Sequence, residues 1–174
     1  MHITEYRVNN VFRVHDTAGL GDGLEADRRH AQNLTDLLLK KCRAKDTKDN
    51  HSYGYIDLAL VILDGSNRDL GTTYKILEQI VIGCMSPDRV IIAVNQADMA
   101  MKTRGWNHRE NRPEASLLSF LQDKSESIQS RIKEATGLSV RKPTFYSAFH
   151  HYNLDQLLDH IITSIPHQRR IMSL

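Results

Sequence analysis

Two short apolar runs without helical period constrain the fold most strongly. One is Ile56-Asp57-Leu58-Ala59-Leu60-Val61-Ile62-Leu63, the other Arg89-Val90-Ile91-Ile92-Ala93-Val94. They end abruptly in polar residues, at Asp64-Gly65 and at Asn95-Gln96-Ala97-Asp98. Such runs read as strands buried on both faces. Between them, Ile76, Leu77, Ile80 and Val81 share one helical face. Gly71-Thr72-Thr73 opens that helix with Thr72 as N-cap, and Pro87-Asp88 breaks it. Strand, helix, strand in that order requires a long crossover and therefore a parallel pair.

The same alternation extends in both directions. Tyr6, Val8 and Asn9-Asn10 read as a strand end and a tight hairpin turn. Val11, Phe12 and Val14 lead as a strand into Asp16, and a glycine-rich turn follows. Ala31, Leu34, Leu37, Leu38 and Lys41/Cys42 recur at helical spacing, and 46–53 reads as a polar loop. After a polar loop over 99–112, Pro113 suits the first turn of a helix carrying Leu117, Phe120, Leu121, Ile128 and Ile132. Gly137 stops it. Lys142-Pro143-Thr144-Phe145-Tyr146-Ser147 reads as a short edge strand. Asn153 caps a last helix with Leu154, Leu157, Leu158, Ile161, Ile162 and Ile165 on one face, and Pro166 ends it. The expected architecture is α/β, three-layer, with a mostly parallel sheet. It forms one domain over residues 1–166, with a short tail over 167–174.

Composition narrows the function. A net charge of +2 with dispersed Lys and Arg argues against a dedicated nucleic-acid surface and leaves RNA contact open. Cys42 and Cys84 have no motif spacing, which suggests a reducing compartment and packing roles. No apolar run approaches the about 20 residues of a membrane span, and no signal-peptide pattern opens the chain. A cytoplasmic location is expected.

Three polar clusters fall at expected strand ends: Asp16-Thr17-Ala18-Gly19, Asn95-Gln96-Ala97-Asp98 and Ser147-Ala148. They are expected on one edge of the sheet, where ligands of open α/β folds bind. An aspartate in the place of Asp98 accepts the N1–H and exocyclic N2–H of guanine. Adenine lacks that donor pair, and a buried acceptor left unpaired rejects it. Asn95 beside it ties loops together and reaches the base. A backbone amide of Ser147-Ala148 meets the guanine O6.

These stretches resemble the G domain of the Era-like bacterial GTPases, a P-loop family, in its small YfjP/YeeP type. Val11–Gly23 resembles the strand and switch II of that family, with Ala18 for the usual proline. The stretch 63–71 resembles the segment after its fourth strand. Asn95–Asp98 matches the guanine-reading Asn-Lys-x-Asp with Gln96 for Lys, and Ser147-Ala148 matches the last guanine loop. The resemblance implies GTP/GDP with Mg²⁺. Asp16, Thr17, Ala18 and Gly19 lie on its phosphate side, with Asp16 holding the metal through water. Asn95, Gln96, Asp98, Ser147 and Ala148 bind guanine. A protein or ribosome/RNA partner is expected by the same analogy.

The departures matter as much. No Gly-x-x-x-x-Gly-Lys-Ser/Thr occurs in the 174 residues. The expected reading is a G domain lacking the first, central strand and the phosphate loop. Losing about four charge-assisted hydrogen bonds at ~1.5 kcal/mol each removes roughly 6 kcal/mol, or about 10⁴-fold in affinity. Guanine-nucleotide binding is then weak or lost and hydrolysis impaired. Thr4, the upstream threonine for a Mg²⁺ shell, sits close to the strand. Leu20 stands where some GTPases orient water, so no catalytic residue is nominated. Without the central strand, the strands ending at Asp16 and Asp64 either pair directly or leave backbone and apolar surface exposed. A marginally stable or partner-dependent chain follows. The alternatives are a nucleotide-independent module that docks a protein or RNA, and an inactive fragment.

Other residues have plainer readings. Asp64 reads as structural, His150-His151 as a solvated loop pair rather than a metal site, and His15 as packing on the sheet rather than a general base. Phe145 and Tyr146 read as core. Trp106 stands alone in a polar loop, as an exposed aromatic or a partner contact. His167-Gln168-Arg169-Arg170 reads as a solvated tail.

Overall fold

The structure, a computed structural model, describes residues 3–17, 24–43, 52–66 and 77–172. They divide into two compact units, Met1–Ile56 with Ile171–Leu174, and Asp57–Arg170. The expected helix start at Thr72 and the stretch 67–71 lie outside the described residues.

In the first unit, β1 (Thr4–Arg7) and β2 (Arg13–Asp16) form an antiparallel hairpin with Glu5 opposite His15 and Thr4 opposite Asp16. The expected turn is present, and Asn9 builds it. Its Oδ1 accepts the amides of Val11 and Phe12 at 2.9 and 2.8 Å. This side chain-to-backbone pairing is what favours Asn in turns. Val11 therefore lies in the turn, 93% exposed, rather than in a strand. Glu5 joins the ladder to Tyr55, whose hydroxyl donates to Oε2 at 3.0 Å. That bond holds the Glu5 carboxyl below its ordinary value. His15 packs edge-on against Tyr55, as a packing residue should.

Helix α1 (Leu24–Leu39) follows. It ends before Lys41 and Cys42, which the periodicity had assigned to it. Those two residues instead form β3 (Lys41–Cys42), antiparallel to β4 (Ser52–Gly54). Tyr53 is thus strand rather than loop. The terminal strand Ile171–Met172 pairs with the other side of β4. Arg170, just before it, donates to the Cys84 carbonyl at 2.7 Å within the second unit. The tail is therefore anchored at Arg170 rather than wholly solvated.

The second unit is α/β with a parallel three-stranded sheet. β5 (Ala59–Asp64) leads through a helical segment, of π form over Leu77–Val81 and then α2 (Ile82–Cys84), to β6 (Val90–Asn95). After a 3₁₀ turn at Ala97–Met99 come a small antiparallel hairpin, β7 (Trp106–Asn107) and β8 (Arg112–Pro113), and then α3 (Ala115–Thr136). β9 (Thr144–Phe145) and α4 (Leu154–Ser164) complete it. The sheet order is β5-β6-β9.

β6 is central because its side chains have no polar face to show. Val90, Ile91, Ile92 and Val94 are at most 1% exposed. Burial of each contributes about 1.5–3 kcal/mol. β9 is the expected edge strand. Pro113 lies in β8 and not in the first turn of α3, which starts at Ala115. Gly137 ends α3 with φ 73° and donates its amide to the Lys133 carbonyl at 2.8 Å, as a left-handed C-cap does. Asn153 stands at the N-cap of α4 without capping it. Its Nδ2 donates to the Phe145 carbonyl at 2.6 Å and ties the helix start to β9.

β5 departs from the both-faces-buried expectation. It pairs with β6 alone, and β2 with β1 alone, among the described residues. Register partners in a parallel pair share a face, so Ile62 lies beside Ala93 and Leu60 beside Ile91. Tyr146 and Leu157, with Leu154 and Ile161 behind them, cover Ala93. Leu60 and Ile62 stay 41% and 49% exposed on that same face, and α4 exposes Leu158 and Ile162. Among the described residues no helix is long and apolar enough to cross a membrane.

Candidate functional site

The expected clusters do not share one sheet edge. Asp16 ends β2 in the two-stranded sheet, whereas Asn95 ends β6 and Ser147 follows β9 in the parallel sheet. Asp16 and Thr17 are exposed, and Ala18, Gly19 and Leu20 lie outside the described residues. Thr4 faces Asp16 directly across the ladder. The described residues there supply one exposed carboxylate, of Asp16, and the hydroxyls of Thr4 and Thr17, and Mg²⁺ bound by so few protein oxygens completes its shell with water or phosphate. Among the described residues no group of three His, Cys, Asp or Glu side chains is placed to hold a metal.

The guanine-side residues do come together. β6 runs straight to Asn95, where the backbone turns left-handed at Gln96 (φ 61°) and exposes its side chain. The turn drops Ala97 and Asp98 inward. Parallel pairing extends past β9, since the Tyr146 amide donates to the Val94 carbonyl at 2.9 Å and the Ala97 amide to the Tyr146 carbonyl at 3.1 Å. Those bonds fix Asp98 against the 147–152 loop. Ser147 and Tyr152 close that loop by exchanging backbone hydrogen bonds at 3.1 and 3.0 Å. Ser147 is fully buried, and its Oγ accepts the His150 amide at 3.1 Å.

Asn95 performs the loop-tying expected of it. Its Oδ1 accepts the amides of Gln96 at 2.8 Å and Ala148 at 3.1 Å. The Ser147 and Ala148 amides, expected to meet a base oxygen, are thus both engaged within the protein. The next amide, of Phe149, makes no hydrogen bond among the described residues. Gly65 lets β5 approach this corner. Its amide donates to the Asn95 carbonyl at 2.8 Å, and a Cβ there would stand 2.5 Å from that oxygen.

Above these loops lies a cavity of about 570 Å³ lined by Asn95, Gln96, Asp98, Trp106, Phe149 and His150, among others. That volume falls in the range of small-molecule pockets. Asp98 is 7% exposed, and its buried Oδ1 has no hydrogen-bond partner among the described residues. A buried carboxylate oxygen left unpaired costs more than an ordinary hydrogen bond contributes, so the site favours a ligand that brings donors.

Trp106 was the residue least legible in the sequence. It is 5% exposed in the cavity wall, not on an open surface, and its Nε1 is also buried without a partner among the described residues. Tyr152 packs edge-on against it at 5.3 Å, and burial raises the Tyr152 hydroxyl pKa above its ordinary value. His150 lies over it at 4.9 Å and is half-buried, whereas His151 is exposed. The solvated-pair reading therefore holds for His151 only. The available signal was a lone tryptophan in an otherwise polar loop between the two polar clusters at 95–98 and 147–148. Asp64 has the structural role expected of it, its Oδ1 accepting the Ser66 amide at 2.8 Å and hydroxyl at 2.7 Å. Phe145 and Tyr146 are core residues. No family model matches the chain, and neither a curated protein nor a solved structure matches it.

Proposed function

We propose that this chain is a guanine-binding protein of the Era-like GTPase kind, with the parallel sheet of residues 57–170 as part of a P-loop GTPase-type fold. Asp98 reads the base through its two carboxylate oxygens, while Asn95 holds the two base-facing loops together. The observation that carries the reading is the buried, unpartnered Oδ1 of Asp98 in the wall of a nucleoside-sized cavity. These 174 residues contain no phosphate-binding loop, so within them nucleotide is held mainly by its base, and GTP binding and hydrolysis by them alone are impaired.

Trp106 is the only tryptophan and lines the cavity, so its fluorescence reports binding. Guanosine is expected to change that signal saturably and adenosine is not. Asp98→Ala is expected to abolish the guanosine response. Equal responses to both nucleosides would remove the base-reading role. The reading left would then be a nucleotide-independent module that docks a protein or RNA. GDP bound at micromolar affinity and lost in Asp98→Ala would instead show a working nucleotide site despite the missing loop.

A further inference from the structure

One side chain stands against both of the residues that bury an unpartnered polar atom in the cavity wall. His150 Nε2 lies 3.8 Å from Asp98 Oδ2, and the His150 ring is 4.9 Å from the Trp106 ring, tilted by 33°. Its position is not accidental to the loop. Ser147 Oγ holds its amide at 3.1 Å, and Asn111 Nδ2 donates to its carbonyl at 2.7 Å. The imidazole is therefore kept beside the carboxylate that a guanine base has to reach. A carboxylate attracts the protonated ring far more than the neutral one.

We infer that His150 is a proton-dependent competitor for Asp98: charged, it occupies the carboxylate and keeps the base out, and neutral, it releases it. This rests on the guanine reading and specifies how that same site is regulated. The titratable and charged groups around His150 come from three places. Asp98 faces it from the turn after β6, and His108 stands 5.8 Å away in the loop after β7. Behind Trp106 lies Tyr152, on which Arg112, paired with Glu110, also acts. A protonated His108 repels a charged His150 and opposes the closed state, while Asp98 favours it.

Apparent affinity falls with the fraction of sites left open, so a carboxylate occupied by the charged ring in nine sites of ten weakens binding about tenfold. Guanosine is the right probe, because nucleotide phosphates titrate near pH 6 and would obscure the change.

Guanosine binding is followed by Trp106 fluorescence at pH 5.5 and pH 7.5. The wild-type chain is expected to bind about tenfold more weakly at the lower pH, and His150→Gln to bind equally at both. Wild-type binding that is the same at both pH values, or a His150→Gln variant that keeps the pH dependence, would overturn the competition. A second arm needs no ligand. Thermal midpoints of Asp98→Asn, His150→Gln and the double variant should be non-additive at pH 5.5 and additive at pH 7.5. Additivity at both removes the pair. If the pair couples but guanosine binds at neither pH, the guanine reading fails while the His150–Asp98 contact stands.

Discussion

Asn95 holds the Ala148 amide through its Oδ1 at 3.1 Å, across 53 residues of chain, and the Gln96 amide at 2.8 Å. One side-chain oxygen thereby joins the end of the central strand to the loop after the edge strand. Asn95→Ala removes both bonds, at about 0.5–1.5 kcal/mol each. Chemical denaturation should show a loss of about 1–3 kcal/mol. Amide exchange should accelerate at Ala148 more than in β6. Asn95→Asp keeps an acceptor in place and should recover most of the loss. Unchanged exchange at Ala148 in Asn95→Ala would mean that the loop holds itself.

Phosphates should add little to binding. The sequence contains no loop to cradle them, so GDP is expected to bind within about a factor of three of guanosine, less than one hydrogen bond's worth. Added Mg²⁺ should not widen the gap, since the donors among the described residues on the phosphate side are one carboxylate, Asp16, and the hydroxyls of Thr4 and Thr17. Titrations of the two ligands with and without the metal measure this directly. A GDP preference of a hundredfold would show that a phosphate grip exists.

The parts of this fold written locally were legible in the sequence. β6 could be read because Val90–Val94 are apolar on both faces, and Gly137 because only a left-handed residue closes α3 there. Asn95, Asp98 and Ser147 converged as read, since they sit at or just beyond the ends of neighbouring parallel strands. What failed depended on tertiary pairing. Leu60 and Ile62 look like core in sequence, but their exposure depends on what packs against β5 and not on their own chemistry. Lys41–Cys42 continue the helical period of α1, yet pairing with β4 outweighs a propensity of a few tenths of a kcal/mol. Trp106 and His150 are 44 positions apart, and no spacing rule links them.

Gly65 should tolerate no side chain. A Cβ there would stand 2.5 Å from the Asn95 carbonyl oxygen and 3.1 Å from Val94 Cγ1. The contact is with backbone, which cannot rotate away. Gly65→Ala is expected to cost about 1–3 kcal/mol, as overpacking does elsewhere. It should also weaken guanosine binding by shifting Asn95. Gly83, with nothing within 4 Å of a built Cβ, provides the control. Gly83→Ala, in α2, should be neutral or slightly stabilising.

The exposed face of β5 predicts an asymmetry between neighbouring isoleucines. Ile62→Thr removes a side chain that is 49% exposed and should cost within about 0.5–1 kcal/mol. Ile92→Thr, at 1% exposure, buries a hydroxyl and leaves a void, and should cost about 2–4 kcal/mol. The same Ile62→Thr change, combined with Leu60→Thr, should reduce self-association, because exposed apolar edges drive strand-to-strand pairing. Sedimentation velocity across concentrations separates the two effects. Identical association in the double variant would place the sticky surface elsewhere.

Acid should destabilise the second unit through His160. Its ring lies against Thr144, with Nδ1 2.7 Å from Oγ1, and burial followed by the charge of Arg141 lowers its pKa below the ordinary value. The folded state therefore prefers the neutral ring. As pH falls from about 6.5, the unfolded chain takes up the proton first, and stability drops until the depressed folded value is passed. Above about pH 6.5 both states are neutral and the contribution is constant. Urea midpoints should thus fall between pH 7.5 and pH 5, and His160→Gln should flatten the fall. An acid dependence that survives His160→Gln unchanged would assign the effect to another group.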